Sequence, residues 1–351
     1  MSFLRSAALL GFVLSVALAP GLAAARSITD QLHRQVEVPD IVNRVVILQH
    51  QTLDIAVELG AADKIVGVLR SWQGLIPGLE RVVPALSDLP TPGDLTSVNI
   101  EELLKLAPDV VFVTNYAPEE MIEQISSVGI PVVAISLSED AKVAKPTLNP
   151  VFDDDDAAYT AGLKQGVELI GDILGARPRA DALLDYVFSE REQVQIRLQG
   201  IGEEERIRLY MANPELKTYG TGKYTGVIMA RSGGINVVAE AGVKGATTVS
   251  IEDVLHWNPQ VIFVQDRYAP VAGEIRNSPA WQPIEAVGAG RIHITPEYVK
   301  PWGYPLPEAM ALGELWMAKT LYPERFTDID MQAKADAFYE RFYGQPYVGP
   351  H

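Results

Sequence analysis

The chain has no cysteine, which excludes a disulfide framework, a thiolate nucleophile, a thiolate metal site and lipid attachment through a cysteine. Positive charge is scarce too: 29 Lys and Arg stand against 45 Asp and Glu, a formal charge of −16. So acidic a chain does not suit nucleic acid or anionic lipid, both of which call for a basic surface. Histidine is rare, with only His33, His50, His256, His293 and His351, and none pair at metal-ligand spacing. A Gly-x-Ser-x-Gly elbow, a phosphate-cradling Gly-rich loop and a His-Glu-x-x-His pair are all missing. An exported hydrolase or metalloenzyme, the alternative from another class, would need such a constellation. A catalytic site and a bound cofactor are therefore not expected. What the chain does have is 351 residues at 48% hydrophobic, enough to bury the core of one large domain or two packed ones.

Apolar runs are short everywhere, and the longest lies at the N-terminus. Residues 1–25 read as a secretory signal peptide: Arg5 is its only charge, and an apolar stretch runs from Ala7 to Leu18. Pro20 and Gly21 break that stretch before the small residues Ala23-Ala24-Ala25. A dozen apolar residues fall short of the ~30 Å of hydrocarbon a membrane span must cross. The mature protein is expected to be exported and soluble, which in a bacterium means the periplasm.

Two halves of the chain repeat each other. Val98–Val113, with Glu101 after the cap residue Asn99 and Pro108 before the strand, has a counterpart 151 residues later in Val249–Val264. There Ser250, Glu252 and Pro259 hold the same places. Around each copy strands and helices alternate. Arg44–Leu48, Lys64–Val68, Val110–Val113 and Pro131–Ile135 read as strands in the first half; Arg206–Met211, Val261–Val264 and Arg291–Ile294 do so in the second. Helices are expected at Thr52–Leu59, Ile100–Lys105, Glu119–Val128, Gly226–Ser232 and Ile251–His256. Near-continuous apolar strands between helices predict a parallel sheet covered on both faces. The expectation is an α/β fold of two Rossmann-like lobes, residues 26–150 and 201–351, with a ligand cleft between them. Residues 151–200 form a helical region, opened by the acidic run Asp153–Asp156, whose carboxylates suit a helix N-terminus. Its second helix, Arg179–Gln199, would be roughly 30 Å long and serve as the strut between lobes.

Aromatic and basic residues collect at the strand ends, where α/β folds place ligand loops. Arg70 and Trp72 follow the second strand, and Tyr116 follows the first repeat strand. Arg267 and Tyr268 follow the second repeat strand; Tyr298, Trp302 and Tyr304 follow the last one. Tyr219 immediately precedes, and Lys223 and Tyr224 lie on, the Gly-rich segment Gly220–Gly226, which reads as a turn opening a helix, and His50 follows the first strand. Together they suggest a cleft with stacking surfaces and cations, suited to a bulky anionic or aromatic ligand.

At this level of detail the chain resembles the class III periplasmic substrate-binding proteins of ABC importers. Arg44-Val-Val-Ile-Leu48 and Asp54–Gly67 are similar to that family's opening strand, helix and second strand. Asn99–Asp109, Gly233-Gly-Ile-Asn236, Trp281–Val287 and Leu321–Phe326 resemble its later signatures, in order along the chain. The resemblance implies two α/β lobes joined by one long helix, a monomer, and delivery of a small ligand to an ABC permease and its ATPase. It also implies that Glu101 and Glu252, one per lobe, dock onto arginines of the permease. Among ligands, an iron chelate of ferric-siderophore type is expected first, then haem or a corrinoid, then an oxyanion such as molybdate.

Overall fold

The computed structural model describes residues 25–139, 148 and 150–349; the signal peptide read at residues 1–25 lies outside them but for Ala25. A hairpin of β1 (Ala25–Thr29) and β2 (Gln35–Pro39) opens the described chain. Next come β3 (Val45–Ile47), α1 (His50–Glu58), β4 (Ile65–Val68) and two short helices, α2 (Trp72–Leu75) and α3 (Leu79–Val82). A small pair, β5 (Gly93–Asp94) and β6 (Ser97–Val98), precedes α4 (Ile100–Leu106), β7 (Val110–Thr114), α5 (Glu119–Ser127) and β8 (Val132–Ile135). Strands β4, β3, β7 and β8 form one sheet in that order, all parallel.

Helices α6 (Asp155–Ile173) and α7 (Arg177–Arg197) follow. The second lobe then begins with β9 (Ile207–Ala212), β10 (Lys217–Tyr219), α8 (Tyr224–Arg231), β11 (Gly234–Asn236), α9 (Val237–Glu240) and β12 (Ala246–Thr248). It continues with α10 (Ile251–Trp257), β13 (Val261–Val264), α11 (Pro270–Asn277), α12 (Glu285–Gly288) and β14 (Ile292–Ile294). A π-helical turn, Ala309–Gly313, runs into α13 (Glu314–Leu321), and α14 (Met331–Phe342) ends the fold. Its parallel sheet is ordered β11, β9, β13, β14. Counted within each lobe, both sheets run second, first, third, fourth. The repeat seen in sequence is thus a repeat of topology.

The match extends to single residues. Asn99 and Ser250 each accept a backbone N–H from the third residue of the helix they cap. At the other end of these helices Ala107 and Asn258 both turn left-handed, with φ of 44°, ahead of Pro108 and Pro259. Period-two alternation sorts the second sheet's strands between two cores. Leu209, Met211, Val261 and Phe263 face a core continuous with the first lobe, whereas Tyr210, Ala212, Ile262 and Val264 face a separate outer one.

Helix α7 starts two residues earlier than the sequence pattern predicts, because Pro178 fits a first turn whose N–H groups are free anyway. Near its start Arg179 donates to the carbonyl of Glu58 in the first lobe. Near its end Arg197 pairs with Asp328 in the second. Helix α6 also joins the two lobes. Gln31 donates to the Gly162 carbonyl on one side of it, and Asp156 pairs with Arg231 on the other. Helix α7 thus joins the two lobes as the long strut expected, with α6 packed beside it. Among the described residues, no helix is long and apolar enough to cross a membrane.

Candidate functional site

Because each sheet is parallel, every strand releases its chain at the same edge, and in each lobe the strand order reverses between the first and third strands. Ligands in such folds sit outside those strand ends, at the reversal. His50, the first residue of α1, follows β3; Tyr116 follows β7; Arg267 follows β13; and Trp302 and Tyr304 lie on the segment after β14.

Three of these side chains meet. The His50 ring lies 5.8 Å from that of Trp302, and the Arg267 guanidinium lies 5.0 Å over Trp302 and 5.1 Å over Tyr268. Arg267 donates to the amide oxygen of Gln265 at 2.8 Å, and among the described residues no carboxylate pairs with it. Four polar atoms in this neighbourhood are buried without a partner: His50 Nδ1, Trp302 Nε1, and Gln265 Nε2 and Asp266 Oδ1 on the segment leading to Arg267, where burial raises the Asp266 pKa to about 6. Burial, reinforced by the charges of Arg267 and Lys300, lowers the His50 pKa to about 3, so the ring is neutral. A neutral imidazole, an indole N–H and a guanidinium supply hydrogen bonds and one positive charge to an anion.

A second group adjoins the first through Gly303. Lys223 is buried, with its ammonium 5.3 Å over the ring of Tyr304, and it donates to the Leu148 carbonyl. It too has no carboxylate partner among the described residues, and burial lowers its pKa to about 8. Tyr116 stacks on Tyr304 with ring centres 6.4 Å apart, and Tyr159, from α6, meets Tyr304 edge-on at 6.3 Å. Tyr219 shares a groove along β10 and β12 with Tyr268.

Other residues named from the sequence lie elsewhere. Trp72 and Tyr224 are core side chains, with Tyr224 beside Glu314, while Arg70 is exposed. Tyr298 packs edge-on against Tyr347. The Gly-rich segment serves the fold. The N–H of Gly222 donates to the Asp155 carboxylate at 2.7 Å, and a Cβ on Gly222, whose φ is +81°, would lie 2.3 Å from the Pro150 carbonyl. Its amide therefore meets an internal carboxylate, not an external anion. Glu101 and Glu252 are exposed first-turn residues of α4 and α10. Asp154 caps α6 by accepting from Ala157, as the acidic run suggests.

What the sequence does not announce is a buried charge cluster next to Trp302. Lys300 bonds both Asp54 and Glu308, and Tyr343 donates to Asp54 at 2.8 Å. A cavity of about 110 Å³ lies beside it, lined by Trp302, Tyr339, Tyr343, Tyr347 and Arg81. Its cations are already neutralised, Arg81 by Glu297 and Lys300 by the two acids, so an anion gains little there. The spacing of Asp54 and Glu58, one turn apart in the second half of a helix whose other residues there are apolar, was the available signal. Among the described residues, no group of three or more His, Asp or Glu is placed to hold a metal ion.

A family model described as periplasmic binding protein matches residues 45–299. The chain is 52% identical over 325 residues to the molybdate-binding protein MolA of Haemophilus influenzae, covering 92% of each. It is 26% identical over 310 residues to the ABC transporter substrate-binding lipoprotein YvrC of Bacillus subtilis, covering 86% of this chain and 87% of that one. The solved structure of MolA bound to molybdate superposes with a TM-score of 0.89, covering 93% of this chain and all of that one. A periplasmic solute-binding protein of Veillonella parvula, at 23% identity and a TM-score of 0.75, shares the fold over 93% of this chain and 94% of its own.

Proposed function

Since the chain belongs to the periplasmic binding protein family, as a class III member serving an ABC importer and not an enzyme, we propose that its ligand is an oxyanion of molybdate type. This replaces the iron chelate that the sequence led one to expect first. The observation that carries it is the juxtaposition of two rings with unpartnered buried nitrogens, His50 Nδ1 and Trp302 Nε1, and the guanidinium of Arg267, which forms no ion pair among the described residues. A small anion uses all three; a siderophore or macrocycle would need broad stacking faces. Most of the aromatic residues named from the sequence are already packed against one another or in the core. The molybdate reading of MolA, similar along nearly the whole chain, supports the same choice.

In this reading His50, Arg267 and Trp302 contact the anion. Lys223 and Tyr268 supply the flanking charge and wall, and Tyr116 and Tyr304 stiffen the loop that carries Trp302. The signal peptide sends the chain to the periplasm, where Glu101 and Glu252 present the loaded protein to the permease. Titration of intrinsic fluorescence with molybdate, a ferric catecholate and haem tests the ligand. Saturable sub-micromolar binding of molybdate alone is expected. Silence toward molybdate with tight binding of an iron chelate would overturn the proposal.

A further inference from the structure

We propose that Lys300 is a positioning residue for ligand capture: its ammonium ties the helix that bears His50 to the loop that bears Trp302, across the seam between the lobes. The inference rests on the oxyanion reading above. Asp54 sits one turn after His50 on α1, and Lys300 stands two residues before Trp302. The Lys300 ammonium bonds the Asp54 carboxylate in the first lobe and the Glu308 carboxylate in the second. The chain turns left-handed at Lys300, with φ of 37°, a conformation an L-residue adopts at a cost and keeps only where its surroundings hold it.

The cluster is closed on all sides. Tyr343, which caps the end of α14, donates to Asp54, and Tyr339 within α14 donates to Glu308. Asp54, Glu58 and Glu308 are at most 1% exposed, and Lys300 is 6% exposed. Both carboxylates already engage the ammonium, so it is not a free charge awaiting the ligand. Apolar residues of the same volume would hold the lobes together as well or better, since a buried ion pair seldom adds net stability. Geometry is what the ion pair adds. An ammonium held between two carboxylates fixes the spacing of two elements more narrowly than an apolar contact does. Here those elements carry two of the site's unpartnered polar atoms, His50 Nδ1 and Trp302 Nε1.

Two equally buried legs allow a sharp test. Asp54→Asn removes the charge of the leg that crosses the seam, and Glu308→Gln removes that of the leg within the second lobe. Calorimetric titration with molybdate should show Asp54→Asn about tenfold weaker or worse, and Glu308→Gln within about threefold of the parent. The molybdate-induced change in indole emission, lost in Trp302→Phe, should shift in Asp54→Asn and persist in Glu308→Gln. Lys300→Arg, which keeps the charge but lengthens both legs, should weaken binding while retaining the melting temperature; it serves if Asp54→Asn does not fold. Parent-like affinity in folded Asp54→Asn or Lys300→Arg would overturn the proposal, as would equal losses in both leg variants that simply follow stability. Failure of the parent protein to bind molybdate would instead sink the oxyanion reading, and this inference with it.

Discussion

His50 is held uncharged by its surroundings, and this has a price in acid. Its pKa falls from the ordinary 6.5 to about 3 through burial first and the neighbouring cations second. The unfolded chain therefore binds a proton that the folded chain refuses between these two values. The resulting stability is full above pH 6.5 and is lost as pH drops toward 3. Urea unfolding at pH 7 and 4.5 should show the parent losing roughly 2 kcal/mol more than His50→Gln. Equal losses would place the ring in contact with water. Arg267, in the proposed reading, works in the opposite sense, offering charge to the ligand rather than withholding it. Arg267→Ala should weaken molybdate binding by about 1.5–3 kcal/mol in calorimetry. At this scale the sequence was only partly legible. Strand-end position pointed to His50, Arg267 and Trp302, but also to Trp72 and Tyr224. Those two are core residues because their short helices turn the rings inward, and loop composition carries no record of that turn.

Elements were far more legible, since period-two strands and capped helices advertise themselves. The paired segments at Glu101 and Glu252 show the same cap, the same left-handed exit and the same following strand. One difference between them is testable. Asn258 suits the left-handed turn, and its side chain accepts the Glu285 N–H at 2.8 Å, whereas Ala107 adopts φ of 44° with no side-chain partner. Asn tolerates that conformation better than Ala. Ala107→Asn should raise stability by a few tenths to about 1 kcal/mol, and Asn258→Ala should lower it by about 1–2 kcal/mol, in denaturant melts. The opening hairpin and α14 went unassigned. The hairpin is short, and α14 owes its place to Tyr339, Phe342 and Tyr343 meeting distant parts of the chain. Contacts so remote leave no local period.

The whole molecule has two lobes, as the internal repeat announced, but the repeat could not say how tightly they join. Helices α6 and α7, the Lys300 cluster and the Arg81–Glu297 pair all cross between them. Delivery to a two-fold permease would then rely on a shape that changes little on loading. The double variant Glu101→Ala with Glu252→Ala should leave molybdate affinity intact while uptake by cells falls sharply. Normal uptake at normal expression would reduce both acids to helix-start residues.

The division of the interior into two cores bears on that docking. Glu101 rides on α4, whose Leu103 is anchored in the large core that continues from one lobe into the other. Glu252 rides on α10, whose Val254 belongs to the smaller outer core of the second lobe alone. The two proposed contact points thus have footings of unequal stiffness: one is bolted to the frame, the other mounted on a panel that can loosen without the frame giving way. Hydrogen exchange under native conditions should release the amides of α10 at a lower opening free energy than those of α4. A docking partner that pulls the lobes apart would then meet yielding material on one side only, and the second lobe would be the one to give.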